Sequence, residues 1–107
     1  ARSAAEVQAI LAAPDRPRAL FCWSDLHGVL VVNLCHKLGL RVPEDIAIAA
    51  FDNTPVAAMP LVGLTSIDQS GRTLGALAAQ ALMDRLGGRT EASHQLLPTR
   101  LVRRRSL

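Results

Sequence analysis

Apolar and polar positions along the chain alternate between two periods. Ser3 to Ala12 is alanine-rich, with Val7, Ile10 and Leu11 on one side, and this predicts a helix that Pro14 ends. Arg18 to Trp23 predicts a buried strand. Asp25 to Leu38 predicts a helix capped by Ser24 and ended by Gly39. Ile46 to Phe51 is a second apolar strand, and Leu64 to Ile67 a short third one. Residues 52 to 63, with Pro55, Pro60 and Gly63, form the loop between them. Gln69 to Leu86 predicts a long helix stopped by Gly87-Gly88, and 95 to 104 an extended segment interrupted by Pro98. Helices alternating with short apolar strands imply an α/β fold with a mostly parallel, doubly wound sheet. Such sheets bind ligands outside the carboxyl ends of their strands. Two predicted strands end in polar pairs there, Ser24-Asp25 and Asp52-Asn53.

The helix from 25 to 38 is apolar over more of its surface than one sheet can cover. At about 100° per residue, Asn33, His36 and Lys37 make a narrow polar wedge, and apolar side chains fill an arc of roughly 200°. Val29 lies beside the wedge and would be exposed in a monomer. Either a second copy of the chain covers this helix, or other parts of the same chain do; a homodimer is the expectation adopted. The 69–86 helix carries Gly71, Gly75 and several alanines, which predicts close packing on a sheet.

Composition narrows the class. The 107 residues suffice for one small domain, and half of them are apolar. With one Trp and two Phe, the core must be aliphatic. No apolar run approaches the ~20 residues of a membrane span, and the first residues lack a signal-peptide layout, so a cytoplasmic protein is expected. Cys22 and Cys35 are expected as reduced core residues. Their spacing with His27, His36 and His94 does not suit zinc, and no metal or cofactor is anticipated. The net charge of +3 is driven by arginine, with Arg100, Arg103, Arg104 and Arg105 near the end. Their alternation with Leu101 suggests a charged edge or terminal strand rather than a nucleic-acid contact. No Gly-rich elbow surrounds Ser24 or Cys22, and no catalytic residue is assigned.

The stretches "GLRVPEDIAIAAFDN" (39–53), "LTSIDQ" (64–69) and "QLLPTRLVRRRS" (95–106) together resemble the end of a lac-repressor (LacI/GalR) family transcriptional regulator. The resemblance covers residues 18 to 106. It implies a periplasmic-binding-protein-like fold in which a small-molecule effector, sugar-like, sits between two α/β subdomains. It implies that residues 1–107 are a single partial domain, the C-terminal portion of the effector-binding and dimerisation domain. Operator DNA would be met only through an N-terminal helix-turn-helix that these residues do not contain, and no enzyme activity is expected. By the same resemblance, Asp52 contacts the effector, or else caps the following loop. Ser24 replaces a usual Asn facing the effector. Trp23 replaces a small residue and would either stack on the effector or fill core. Gln69 lies near the pocket, and Asp25 caps its helix. The helix 25–38 and the strand 64–67 correspond to the family's dimer interface, which designates Val29, Leu30, Val32, Asn33, Leu64 and Ser66. The 69–86 helix, which packs on the other subdomain in the family, would dock elsewhere or mediate association. Two other readings stand beside this one. One is a solute-binding protein of a sugar transporter. The other is a receiver-like phosphoacceptor or phosphohydrolase domain using Asp52, with Asp25 toward Mg²⁺.

Overall fold

A computed structural model describes residues 3–107. The element order is α1 (Ala4–Ala12), β1 (Ala19–Phe21), α2 (Asp25–Lys37), β2 (Ala47–Phe51), a 3-10 turn (Pro55–Ala58), β3 (Thr65–Asp68), α3 (Gly71–Leu86) and β4 (Arg100–Val102). The four strands form one sheet in the order β1-β2-β3-β4. β1, β2 and β3 are parallel, with Phe21 beside Ala49 and Phe51 beside Ile67. β4 runs antiparallel to β3, which makes the sheet mixed. The α/β class is as expected. The antiparallel return follows from the chain geometry: the long excursion through α3 comes back to the free edge of β3 and needs no crossover helix.

Each helix start has a local cause. Ser3 and Glu6 form a reciprocal capping box at α1. Ser24 caps α2 by accepting from the His27 amide, and α2 passes into Gly39, whose φ of +71° a side chain would resist. α3 begins without a side-chain cap, from Ser70 in the left-handed region.

The core lies between α2 and the sheet. Ile46, Ile48, Ala50, Leu64 and Cys35 are fully buried there, with Leu11 of α1 closing one end. Gly28 is what lets α2 come so close. A Cβ at that position would lie 2.6 Å from the Leu64 side chain and 3.2 Å from Ala50. Both cysteines are free and buried. Burial pushes their thiols up, for Cys22 with a further contribution from nearby Cys35, so they behave as core residues.

α3 departs from expectation. None of its residues is buried. The small residues predicted to pack on a sheet face open space, since a Cβ at Gly71 or Gly75 would meet nothing within 4 Å. The expectation of close packing on a sheet is therefore corrected: helix propensity forms α3, and this chain buries none of its residues. The molecule is drawn out to 59 × 26 × 17 Å, with a radius of gyration of 18.0 Å. A compact chain of this length has about 13 Å. The sheet face opposite α2 is bare as well, with Phe21 exposed and Ala47, Ala49 and Phe51 only partly covered.

The C-terminal arginines are not a free charged tail. Ser106 is wedged between the amino ends of β2 and β3. Its carbonyl accepts from the Ile48 amide at 2.7 Å, and its hydroxyl donates to the Ile48 carbonyl at 2.6 Å. The same hydroxyl accepts from the Thr65 amide at 2.8 Å. One serine thus continues the ladder past the point where the strands diverge.

Candidate functional site

The parallel strands bring three of the four expected effector residues to one edge. β1 leads into Ser24, β2 into Asp52, and β3 into Gln69. Parallel pairing sets Asp52 beside the end of β3, where its amide donates to the Ile67 carbonyl at 3.0 Å. Gln69 Nε2 donates to Asp52 Oδ1 at 3.1 Å. The two residues therefore form one polar unit, and the second Asp52 oxygen is left to accept from a ligand hydroxyl or N–H. Ser24 Oγ is committed to its helix, accepting from the His27 amide and lying 2.8 Å from His27 Nδ1.

The turn that carries Asp52 is strained. Asp52 has φ +108° and Asn53 φ +51°, conformations that side chains resist. What holds the turn is Asp25. Its carboxylate is 1% exposed and accepts three hydrogen bonds: from the Thr54 amide at 2.6 Å, the Thr54 hydroxyl at 2.7 Å and the Ser66 hydroxyl at 2.5 Å. Ser66 Oγ in turn accepts from the Asn53 amide at 3.0 Å. From the other side Arg104 donates to Asn53 Oδ1 at 2.6 Å and to the Leu64 carbonyl at 2.7 Å. Asp25 is thus a buried tether rather than the helix cap expected of it; Ser24 does the capping, and burial with three donors is the geometry a carboxylate away from water requires. Thr54 was not singled out from the sequence, and Asn53 and Arg104 were named only as part of a strand-end polar pair and of a charged terminal strand. The signal available was the tandem Asp52-Asn53, two residue types that tolerate left-handed backbone.

Beyond Gln69, Asp68 accepts from the Ser70 amide at 2.8 Å and pairs with Arg100 at 3.1 Å. The amide, and then the guanidinium, hold its carboxyl below the usual carboxylate range.

Trp23 does not fill core. It is 68% exposed, with its ring 5.0 Å from the His27 ring and tilted to it by 49°. It borders an open apolar groove of about 930 Å³ between α1, β1 and α2, which also takes in Val7, Leu20, Leu30 and Leu34. Asp52 and Gln69 do not line that groove.

The dimer expectations divide. Leu64, Ser66 and Val32 are buried within this chain and have no surface to offer a partner. Leu64 fills the space over Gly28, Ser66 is bound to Asp25, and Val32 faces the core. Val29 is half-buried against the core rather than exposed. The outer face of α2 is instead Leu26, Leu30 and Asn33, with Leu26 64% and Leu30 52% exposed. Met59 and Leu61 after the 3-10 turn are exposed too, Leu61 at 86%. Val29 packs against the core cluster instead, and the 3-10 turn, invisible to helix periodicity, also packs on α2.

Among the described residues no group of three or more metal-ligating side chains comes together. Among the same residues no helix is long and apolar enough to cross a membrane.

Comparison with known proteins agrees with this fold. A family model described as the periplasmic binding protein-like domain matches residues 1–107. The HTH-type transcriptional repressor PurR of Pectobacterium atrosepticum is 38% identical over 100 residues, covering 92% of this chain and 29% of the repressor. The PurR of Escherichia coli O139:H28 is 34% identical over 102 residues, covering 94% and 30%. The chain thus spans under a third of the length of these curated relatives. Among solved structures, the transcriptional regulator CelR in complex with cellobiose superposes with a TM-score of 0.82 at 33% identity, covering 97% of this chain and 33% of CelR. A LacI family regulator from Lactobacillus casei with bound sucrose gives 0.80 at 30% identity, covering 99% and 41%. The chain belongs to the periplasmic binding protein-like domain family, in the form found in LacI-family transcriptional regulators.

Proposed function

We propose that these residues are the C-terminal portion of the effector-binding and dimerisation domain of a DNA-binding transcriptional regulator that responds to a small, sugar-like molecule. The observation that carries this reading is the Asp52–Gln69 unit, set on the carboxyl edge of a parallel sheet by a strained turn under a buried tether. A carboxylate with one oxygen free suits vicinal hydroxyls. The solved relatives whose structures hold cellobiose and sucrose make a sugar the first class to test. On this reading effector binding shifts the balance between two arrangements of the parent's subdomains, and operator DNA is met by a helix-turn-helix outside these residues. The chain pairs with its own copy through Leu26, Leu30 and Asn33 of α2 and the 59–61 segment.

Titration calorimetry with cellobiose, sucrose and simple nucleosides tests the sensing role. One wall of a cleft binds weakly, with Kd above about 1 mM, and Asp52→Asn abolishes what binding there is. Tight binding by this chain alone, or binding indifferent to Asp52→Asn, removes the reading. The phosphoacceptor alternative gains nothing from the geometry, because Asp25, which it needs for Mg²⁺, is engaged by Thr54 and Ser66.

A further inference from the structure

The amino edge of the sheet holds a second recess, away from Asp52. Ser106 marks that edge at Ile48, and Asp52 lies four positions further along the chain, just past the end of β2. At the rise of a strand this is about 13 Å. The recess is about 350 Å³, at the small end of the range for ligand sites. Its floor is aliphatic: Val32 of α2, Leu40 and Val42 of the turn before β2, and Val62. His36 and two arginines, Arg41 and Arg105, stand around it.

The two arginines differ in what they can do. Arg41 is committed to Asp45 through two parallel bonds of 2.9 Å and forms a wall of fixed, neutralised charge. Arg105 has no carboxylate partner among the described residues. One of its terminal nitrogens donates to the Leu61 carbonyl. Its remaining N–H groups have no protein acceptor among the described residues. Its stem lies across Gly63, where φ is +53° and an added Cβ would come within 2.7 Å of Arg105 Cγ and Nε. The missing side chain at Gly63 is the track in which Arg105 rests. A guanidinium with free N–H groups, lining a recess together with aliphatic side chains, complements a ligand with a carboxylate at one end and a short hydrocarbon tail at the other.

We infer that the recess between α2, the 40–42 turn and Arg105 is a binding site for a small aliphatic carboxylate. The Arg105 fork receives the carboxylate, and the Val32, Leu40, Val42 and Val62 side chains receive the tail. Because Val62 and Arg105 adjoin the exposed 59–61 segment, a bound ligand would alter the surface proposed above for pairing. The site itself does not depend on that reading, and sugar binding at Asp52 does not probe it.

The test is a titration of the 107-residue chain with sodium butyrate, followed by 1H–15N correlation spectra. The expected result is saturable shifts confined to Val32, His36, 40–42, 62–63 and the Arg105 side-chain N–H, with a Kd on the order of 1 mM. Arg105→Gln weakens binding at least tenfold with the rest of the spectrum unchanged. Arg103→Gln, which removes the same charge two residues away, leaves it as it was. Four results overturn the inference: no saturation by 100 mM; equal shifts from 1-butanol, which makes the hollow merely apolar; equal shifts from inorganic phosphate, which makes it a general anion patch; or equal weakening by Arg103→Gln, which makes the effect one of net charge.

Discussion

Two regions of this chain use the same small residues to opposite ends. In the α2–β2–β3 wedge, Gly28 admits Leu64 into the space where its own side chain would be, and the Leu64 and Ala50 it meets are fully buried. In α3, Gly71 and Gly75 admit nothing, and no residue of that helix is buried. Nothing local separates the two cases. What separates them is whether a sheet face lies within reach of the helix. α2 follows β1 directly and precedes β2, so a right-handed crossover brings it back onto the sheet. α3 leaves the sheet after β3, and its return strand pairs antiparallel at the edge. The wedge therefore carries both the stability and the polar rim, while α3 is held by its own backbone.

That contrast can be broken most forcefully at Asp25. Replacing it by alanine strips the partners from the Thr54 amide, the Thr54 hydroxyl and the Ser66 hydroxyl. A loss of about 4 kcal/mol is expected, read as a fall of roughly 15–20 °C in the thermal midpoint. Faster amide exchange at Asn53 and Thr54 should accompany it. Gly28→Val should come next. It forces a branched side chain into Leu64 and Ala50, and urea unfolding should show a loss of about 3 kcal/mol. A smaller effect is expected from acid. Arg41 holds the Asp45 carboxyl well below the usual carboxylate range, and the Ser70 amide and Arg100 lower that of Asp68. Both folded values are depressed, so their stabilisation is present above the unfolded carboxylate value near 3.9 and fades as pH falls through the folded ones. Urea midpoints should be level from about pH 7 to 5 and decline below pH 4. The Asp45→Asn variant should lose part of that decline. The smallest change, and of opposite sign, is expected at Gly75→Ala, which should stabilise the exposed α3 by up to about 1 kcal/mol through helix propensity. If Gly75→Ala were instead as harmful as Gly28→Val, α3 would have a packed face after all, and the contrast between the regions would fall.

Much of the candidate site was legible in advance, because its residues sit at the ends of strongly apolar segments. Asp52, Ser24 and Gln69 each follow a predicted strand, and parallel pairing is enough to collect strand ends on one edge. Trp23 was legible only as a choice between stacking and filling core; its exposure decides against core. The dimer residues fared unevenly. Leu30 and Asn33 are exposed, whereas Leu64, Ser66 and Val32 are claimed by the chain's own interior. Periodicity marks a face as apolar or polar but does not say which neighbour will occupy it.

The sequence by itself determined the elements, their order, the parallel core of the sheet and the rim on which Asp52 stands. Those depend on residues near one another along the chain: caps, turn residues and runs of period 2 or 3.6. Only the tertiary structure decided that Asp25 is a tether, that Ser106 and Arg104 stitch the chain's end into the ladder, and that Arg105 lies in the track left by Gly63. Each of those joins residues about 30 to 60 positions apart, and no local pattern encodes which distant donor will meet which acceptor once the backbone has closed.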